Sequence, residues 1–194
     1  MTNTVDSETG ARARTRAAIM EAALVVLGRD AQASLSDVAA AAEVGRTTLH
    51  RYFPERADLL RAVARQVAQR SLQAIERAEP HTGPVEAVLR RIVEEHLELG
   101  PILMYLYTEP VLHSDPVVVA EMTTMEEGID EILARPDANL NPQLSRAWVR
   151  RTFWGLLYAG WETAKNGEMT RHQIVEAIMT TLTSGVYGSD SSAL

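Results

Sequence analysis

Two histidines and one run of basic and hydroxyl side chains carry most of the chemistry open to this sequence. Glu94-Glu95-His96 and the pair His113 and Asp115 offer oxygen and nitrogen ligands. No H-x-x-x-H or H-E-x-x-H spacing brings two imidazoles to one helix face. The chain has no Cys, which excludes a disulfide framework, a thiolate metal site and a Cys nucleophile. G-x-S-x-G, the P-loop and G-x-G-x-x-G are also missing, so the usual nucleophile elbow and phosphate cradles are not available. Glu94-Glu95-His96 reads most simply as two solvated carboxylates and a partly buried imidazole. Richer chemistry lies in Arg46-Thr47-Thr48, followed by His50, Arg51 and Tyr52. Guanidinium, hydroxyl and imidazole groups at the start of a short helix can meet phosphates and base edges together.

The element that must position those side chains is Ser34 to Phe53, SLSDVAAAAEVGRTTLHRYF. Ser34 is an N-cap, with Asp37 three positions on completing a capping-box variant and placing negative charge on the first turn. Leu35, Val38 and Ala39 form one apolar face, and the alanines to Ala42 keep this helix slim. Gly45 is expected to take the positive φ of an inter-helix turn. Arg46 opens the second helix, and Leu49 and Phe53 fall on its inward side at i, i+4. Two short helices with this second helix outward suit the DNA major groove.

Around this motif, Thr15-Arg16, Ile19, Ala22-Ala23 and Leu27, then S-L-x-D-V-A-x-A-A-x-V-G-x-x-T-L-H-x-Y-F-x-x-R-x-x-L ending at Leu59, resemble the TetR family of bacterial transcriptional regulators. The resemblance spans about 50 residues with many positions agreeing at fixed spacing. His50 stands where the family more often has Tyr. The resemblance implies an all-α fold of about nine helices: a three-helix head (1–54), a connector helix (55–78) and a ligand-binding and dimerisation body (79–194). On this reading Arg46, Thr47, Thr48 and His50 are the choices for base edges. Ser34, Ser36, Arg51, Tyr52 and Arg56 are the choices for the DNA backbone, with Arg16 beside it and Gly45 serving the turn. Arg12 and Arg14 are either an arm towards the minor groove or solvated charges at a helix start.

Charge divides in the same way. Residues 1–70 carry ten Arg and eight Asp/Glu, a net +2; residues 71–194 carry nine Lys/Arg and eighteen Asp/Glu, a net −9. Phosphate would attract the first part and repel the second. The N-terminus lacks the apolar stretch of a secretory signal, and no apolar run approaches 18 residues. A cytoplasmic chain is expected, nucleoid-associated when bound to its operator.

The remainder reads as helix. The connector runs to about Ala78 on Leu60, Val63, Val67, Ala74 and Ile75, and the breaker cluster Glu79–Pro84 follows. Pro84 starts the next helix, closed by Gly100-Pro101. A short apolar segment spans Ile102–Tyr107, and Ser114 or Asp115 caps a helix to about Ala134. Asn141-Pro142 is expected to open a long helix to about Lys165, and Thr170 with Gln173 caps the last, to about Val186. The long helix is apolar almost all round, with Trp148, Phe153, Trp154, Leu157, Tyr158 and Trp161, and Gly155, Ala159 and Gly160 permit close approach. A helix apolar on two faces must bury both, so the last two helices are expected to form a homodimeric four-helix bundle.

Adaptable and aromatic side chains concentrate in the same region. Met104, Tyr105, Tyr107, Met122, Met125, Trp148, Trp154, Tyr158 and Trp161, with His96 and His113 as polar handles, are the pocket candidates, although each also suits plain core. No cofactor is expected. The expected function is a homodimeric repressor of a pseudo-palindromic operator on double-stranded DNA, released by a small apolar or aromatic effector. A helical small-molecule-binding module, or a metal-dependent hydrolase without specific DNA binding, is the alternative. Catalysis surviving deletion of Ser34–Phe53 would favour it.

Overall fold

The computed structural model describes residues 10–30, 32–100, 102–103 and 115–185. Eight α-helices occur among them: α1 (Gly10–Arg29), α2 (Leu35–Ala41), α3 (Arg46–Tyr52), α4 (Arg56–Arg77), α5 (Val85–Leu99), α6 (Pro116–Leu133), α7 (Arg146–Lys165) and α8 (Arg171–Gly185). A 3-10 turn, Pro136–Ala138, follows α6, and residues 102–103 are also helical. No helix among the described residues is long and apolar enough to cross a membrane.

Each boundary has a local cause. Ser34 and Asp37 form the capping box of α2, the Ser34 side chain accepting from the Asp37 amide and the Asp37 carboxylate accepting from the Ser34 amide. Asp115 caps α6 by accepting from the Val117 and Val118 amides, with Pro116 in the first turn, where its missing N–H removes no bond. Thr170 and Gln173 close a reciprocal box before α8, at 2.8 and 3.3 Å. The start of α7 differs from the expectation. Asn141-Pro142 folds into a turn in which the Asn141 side chain accepts from the Gln143 amide. The helix begins only after Ser145, whose hydroxyl accepts from the Trp148 amide. A side-chain bond two residues on competes with helix at Asn, whereas Ser145 satisfies a free first-turn amide.

Burial follows the apolar stripes. Ile19, Ala23 and Leu27 of α1, Val38 of α2, and Leu49 and Phe53 at α3 are all buried, and α1 packs on α2, which packs on α3. Leu59, Leu60, Val63, Ala64, Val67, Ala68, Ala74 and Ile75 line the buried side of α4, which packs on α1, α5 and α6. At about 1.5 Å per residue α4 is about 33 Å long. Helices α7 and α8 pack on each other and on α5. Deletion of solvent contact along these faces is the main stabilising term.

The C-terminal end of α4 is held by arginines. Arg91 of α5 donates to the carbonyls of Ala78, Glu79 and Thr82 at 2.7, 3.2 and 2.7 Å. Arg135 donates to those of Pro80 and Gly83 at 2.9 and 2.6 Å. The carbonyls of the loop after α4, which no helical ladder satisfies, thereby find donors on α5 and on the turn after α6.

Candidate nucleic-acid interface and effector body

The turn between α2 and α3 aims the candidate DNA-reading side chains. Its left-handed residue is Glu43, at φ 54°, and not Gly45. Ala42 ends α2, and the Glu43 and Val44 amides donate to the Ala40 and Ala39 carbonyls at 3.1 and 3.0 Å. That double closure is a Schellman motif, which places the positive φ directly after the helix cap. Gly45 lies two residues later, extended at φ −70° and ψ 149°, as N-cap of α3. A Cβ built on it meets nothing within 4 Å.

Arg46, Thr47, His50 and Arg51 are exposed on α3, and Thr48 is half-buried, while Leu49 and Phe53 are 1% and 3% exposed. The inward pair anchors the helix and leaves the polar face outward. The Ser34 side-chain and backbone hydrogen bonds, and then the Arg46 charge, hold the Asp37 carboxyl below its ordinary range. Arg51 lies over the Tyr52 ring at 5.6 Å, and His50 Nδ1 is 3.3 Å from the Pro54 carbonyl. Tyr52, half-buried, donates its hydroxyl to the Arg12 carbonyl at 3.3 Å, so it ties α3 to α1.

Several other candidates already have partners within the chain. The Ser34 hydroxyl is occupied by the Asp37 carboxylate at 2.7 Å. Arg56 donates to the Ala33 carbonyl at 2.5 Å, bracing the loop between α1 and α2. Arg16 lies over the Phe53 ring at 5.6 Å and remains exposed. Ser36 is half-buried in the first turn of α2. Arg12, Arg14 and Arg16 all lie inside α1. The expected helix entrance therefore begins before them, and they form no extended arm.

In the body, His96 is fully buried with both ring nitrogens engaged. Nδ1 lies 2.8 Å from the Ile92 carbonyl and Nε2 lies 2.7 Å from the Ser71 hydroxyl. A carbonyl only accepts, so Nδ1 carries the hydrogen and Nε2 receives the Ser71 proton. Burial pushes the imidazole down to about 4. The Trp154 ring stands edge-on to it, with centroids 5.4 Å apart, and Phe153 edges onto Trp154 at 5.3 Å. Met125 and Trp161 are buried, Met122 is half-buried, and the Trp161 indole N–H has no hydrogen-bond partner among the described residues.

Trp148 and Tyr158, expected near the pocket, instead face outward from α7 at 60% and 42% exposure. Trp148 lies on the side of the helix opposite Phe153, Leu157 and Trp161, and Tyr158 on the flank of that buried stripe. Met104, Tyr105, Tyr107 and His113 lie outside the described residues. Among the described residues no group of three or more His, Asp or Glu is placed to hold a metal.

Sequence reasoning missed Ser71, a buried polar side chain on the apolar stripe of α4. Its signal was a hydroxyl four residues after Val67 and four before Ile75. It also missed Arg150, which joins α7 to Glu126 at 3.1 Å and to Asp130 on α6.

Comparison with known proteins fits this arrangement. Residues 19–63 match the family described as bacterial regulatory proteins, tetR family. The HTH-type transcriptional repressor LfrR of Mycolicibacterium smegmatis is 54% identical over 179 residues, covering 92% of this chain and 94% of the relative. The crystal structure of the TetR-like regulator LfrR from Mycobacterium smegmatis in complex with proflavine superposes with a TM-score of 0.81 at 53% identity, over 93% of this chain and 100% of that one. A second LfrR crystal structure gives 0.66 at 49% identity, over 89% and 99%. The chain belongs to the TetR family of bacterial transcriptional regulators, and it is a DNA-binding regulator and not an enzyme.

Proposed function

We propose that this regulator is a homodimeric repressor that binds a pseudo-palindromic operator and is released by a planar aromatic effector. The observation that carries the DNA part is α3, with Arg46, Thr47, His50 and Arg51 exposed on one short helix and Leu49 and Phe53 buried behind it. In this reading Arg46, Thr47, Thr48 and His50 meet base edges. Arg51 and Arg16 meet phosphate, while Ser34, Ser36, Tyr52 and Arg56 hold the surface that faces it. The head comprises residues 1–54, the connector 55–78 and the body 79–194.

The dimer reading rests on the outer side of α7 and α8. Trp148, Gly155, Tyr158 and Ala159 are exposed there. Beside them runs a groove of about 210 Å³ lined by Leu156, Ala159, Thr163, Ala177 and Thr181. Large apolar surface of this kind belongs at an interface. Two copies paired through it form a four-helix bundle with two recognition helices facing one side of a duplex.

The effector reading draws support from the relative crystallised with proflavine, a planar aromatic cation. The acidic balance of residues 71–194 and the buried Trp154, Trp161 and Met125 suit such a molecule. Binding in the body would tilt α4 and change the spacing of the two heads, which must fit half-sites about 34–36 Å apart.

Selection of bound duplexes from a random pool at two salt concentrations tests the reading. An inverted repeat is the expected product, whereas retention without sequence preference would overturn it. Arg46→Ala is expected to lose roughly 1–3 kcal/mol, concentrated at one base position. Equal weakening on every sequence reassigns Arg46 to phosphate.

A further inference from the structure

A cleft of about 670 Å³ lies between α1 and α4 and reaches the end of α3; neither Trp154 nor Trp161 lines it. Ala13, Arg16, Ala17 and Met20 face it at i, i+3, i+4 and i+7 on α1, and Ala62, Arg65 and Gln69 at i, i+3 and i+7 on α4. One face of each helix therefore forms a wall. Alanines stand where larger side chains would interlock, and Ala13 and Ala17 are exposed. The walls stay apart, and the buried Met20 and Phe53 close the inner side. Both ends are tied. At one, the Tyr52 hydroxyl donates to the Arg12 carbonyl at 3.3 Å, joining α3 to α1. At the other, Glu21 accepts from Gln66 at 3.1 Å and pairs with Arg70, joining α1 to α4. The cleft is thus preformed, and its volume falls within the range of small-molecule sites, about 300–1,000 Å³.

Its charges are unequally satisfied. Asp58 accepts from the Glu55 amide and from Arg61, both at 3.1 Å, and Arg61 also pairs with Asp115. Arg16 on one wall and Arg65 on the other meet no carboxylate among the described residues, and Arg16 lies over the Phe53 ring instead. Two uncompensated guanidiniums on one cleft raise the local positive potential, and their planar forks grip oxyanions bidentately. A carboxylate would balance one of the two charges. A phosphomonoester, at about −1.5 to −2 near neutral pH, balances both. We infer that this cleft is a second ligand site, for a small phosphomonoester whose phosphate is clamped by Arg16 and Arg65 and whose compact apolar body lies between Ala13, Ala17 and Ala62. Its consequence for DNA rests on the reading above in which Arg16 meets the duplex; the site itself does not. An Arg16 held by ligand phosphate is withdrawn from operator phosphate, so ligand and DNA compete for one cation.

Phenyl phosphate, a phosphomonoester with a small apolar body, is the probe, titrated by calorimetry into the full chain without DNA at constant ionic strength. The parent is expected to bind it, and more tightly than inorganic phosphate. Arg16→Gln and Arg65→Gln are each expected to weaken binding about tenfold or more, the effect of losing a hydrogen bond to a charged group. Ala17→Leu fills the cleft and leaves every charge in place, so it should abolish the advantage over inorganic phosphate. Arg16, Ala17 and Arg65 are exposed, and these variants leave the core intact. Arg146→Gln, on an exposed position of α7, is the control and should match the parent. Absence of binding by the parent overturns the site. So does equal weakening in Arg146→Gln, or parent-like binding in both Arg65→Gln and Ala17→Leu.

Operator binding then tests the competition. Added phenyl phosphate is expected to weaken operator binding by the parent at fixed ionic strength, and this weakening should be lost in Arg65→Gln. Occupancy of the cleft with no change in operator affinity overturns the competition and leaves the site standing. If Arg65 instead meets the duplex's own phosphate, Arg65→Gln lowers the salt slope of operator binding while phenyl phosphate finds no site, and the free-ligand proposal falls. Should the chain show no sequence-specific DNA binding, the repressor reading fails, while the titration without DNA still decides the site.

Discussion

Glu43 holds the left-handed conformation that a Schellman closure demands, at φ 54°. For a residue with a Cβ this conformation is costly by roughly 1–2 kcal/mol. Glu43→Gly removes that strain but adds freedom to the unfolded chain, for an expected net gain of about 0.5–1 kcal/mol in urea unfolding. Gly45→Ala, by contrast, should leave stability close to the parent, because Gly45 is extended and its missing Cβ has open space. Any loss of operator affinity in Gly45→Ala would then report how closely DNA approaches that backbone. At His96 the effect of pH has a definite sign. Burial lowers the folded-state value to about 4 from 6.5, so the unfolded chain binds the extra proton between these values. Stability from this group is complete above about pH 6.5, falls as pH drops towards 4, and amounts to about 3 kcal/mol across that window. His96→Gln should flatten this part of the stability profile, and an unchanged slope would show that other groups set it.

Between elements, the spacing of α7 and α8 depends on one glycine. A Cβ on Gly160 would lie 2.8 Å from Ile174 Cγ2 and 3.1 Å from Ile178 Cδ1. Those atoms belong to stiff β-branched side chains in a packed helix, so the helices must separate. Overpacking of about 1–3 kcal/mol exceeds the gain of about 1 kcal/mol in helix propensity, and Gly160→Ala should lower the melting temperature. Gly155 is on the same helix but its Cβ meets nothing within 4 Å. Gly155→Ala should therefore stabilise the protomer by up to about 1 kcal/mol through propensity alone. If the outer face of α7 is the dimer interface, the same variant weakens self-association in sedimentation equilibrium. Unchanged association would move the interface elsewhere. Arg91 and Arg150 act at this scale as well: each is a cation on one helix whose acceptors lie on another or beyond its end.

For the whole molecule, the division of charge into +2 over residues 1–70 and −9 over residues 71–194 directs the head towards phosphate and keeps the body away from it. Phosphate contacts release counterions, so affinity depends on salt with a slope of about −0.9 per neutralised phosphate. On the proposed reading of a dimer with Arg51 on phosphate, Arg51→Ala removes two such contacts and should reduce the magnitude of the slope by about 2. A slope equal to the parent's would take Arg51 off the phosphate backbone and return it to stacking on Tyr52.

Local physics determined a good deal from sequence alone. Capping boxes at Ser34–Asp37 and Thr170–Gln173, the Asp115 cap and the inward pair Leu49 and Phe53 all act within one helical turn, so spacing of three or four residues reveals them. The two-helix motif with its outward Arg46 and Thr47 was legible for the same reason. Tertiary structure decided what spacing leaves open. An almost wholly apolar α7 does not announce which side its own chain covers, and packing sends Trp154 and Trp161 inward while leaving Trp148 and Tyr158 exposed. Gly45 looked like the turn's left-handed residue, but the pattern of α2 carbonyls left to be satisfied set that conformation at Glu43. Ser71 finds His96 twenty-five residues away on a different helix. Pairing at that separation depends on how α4 and α5 cross, which no local periodicity contains.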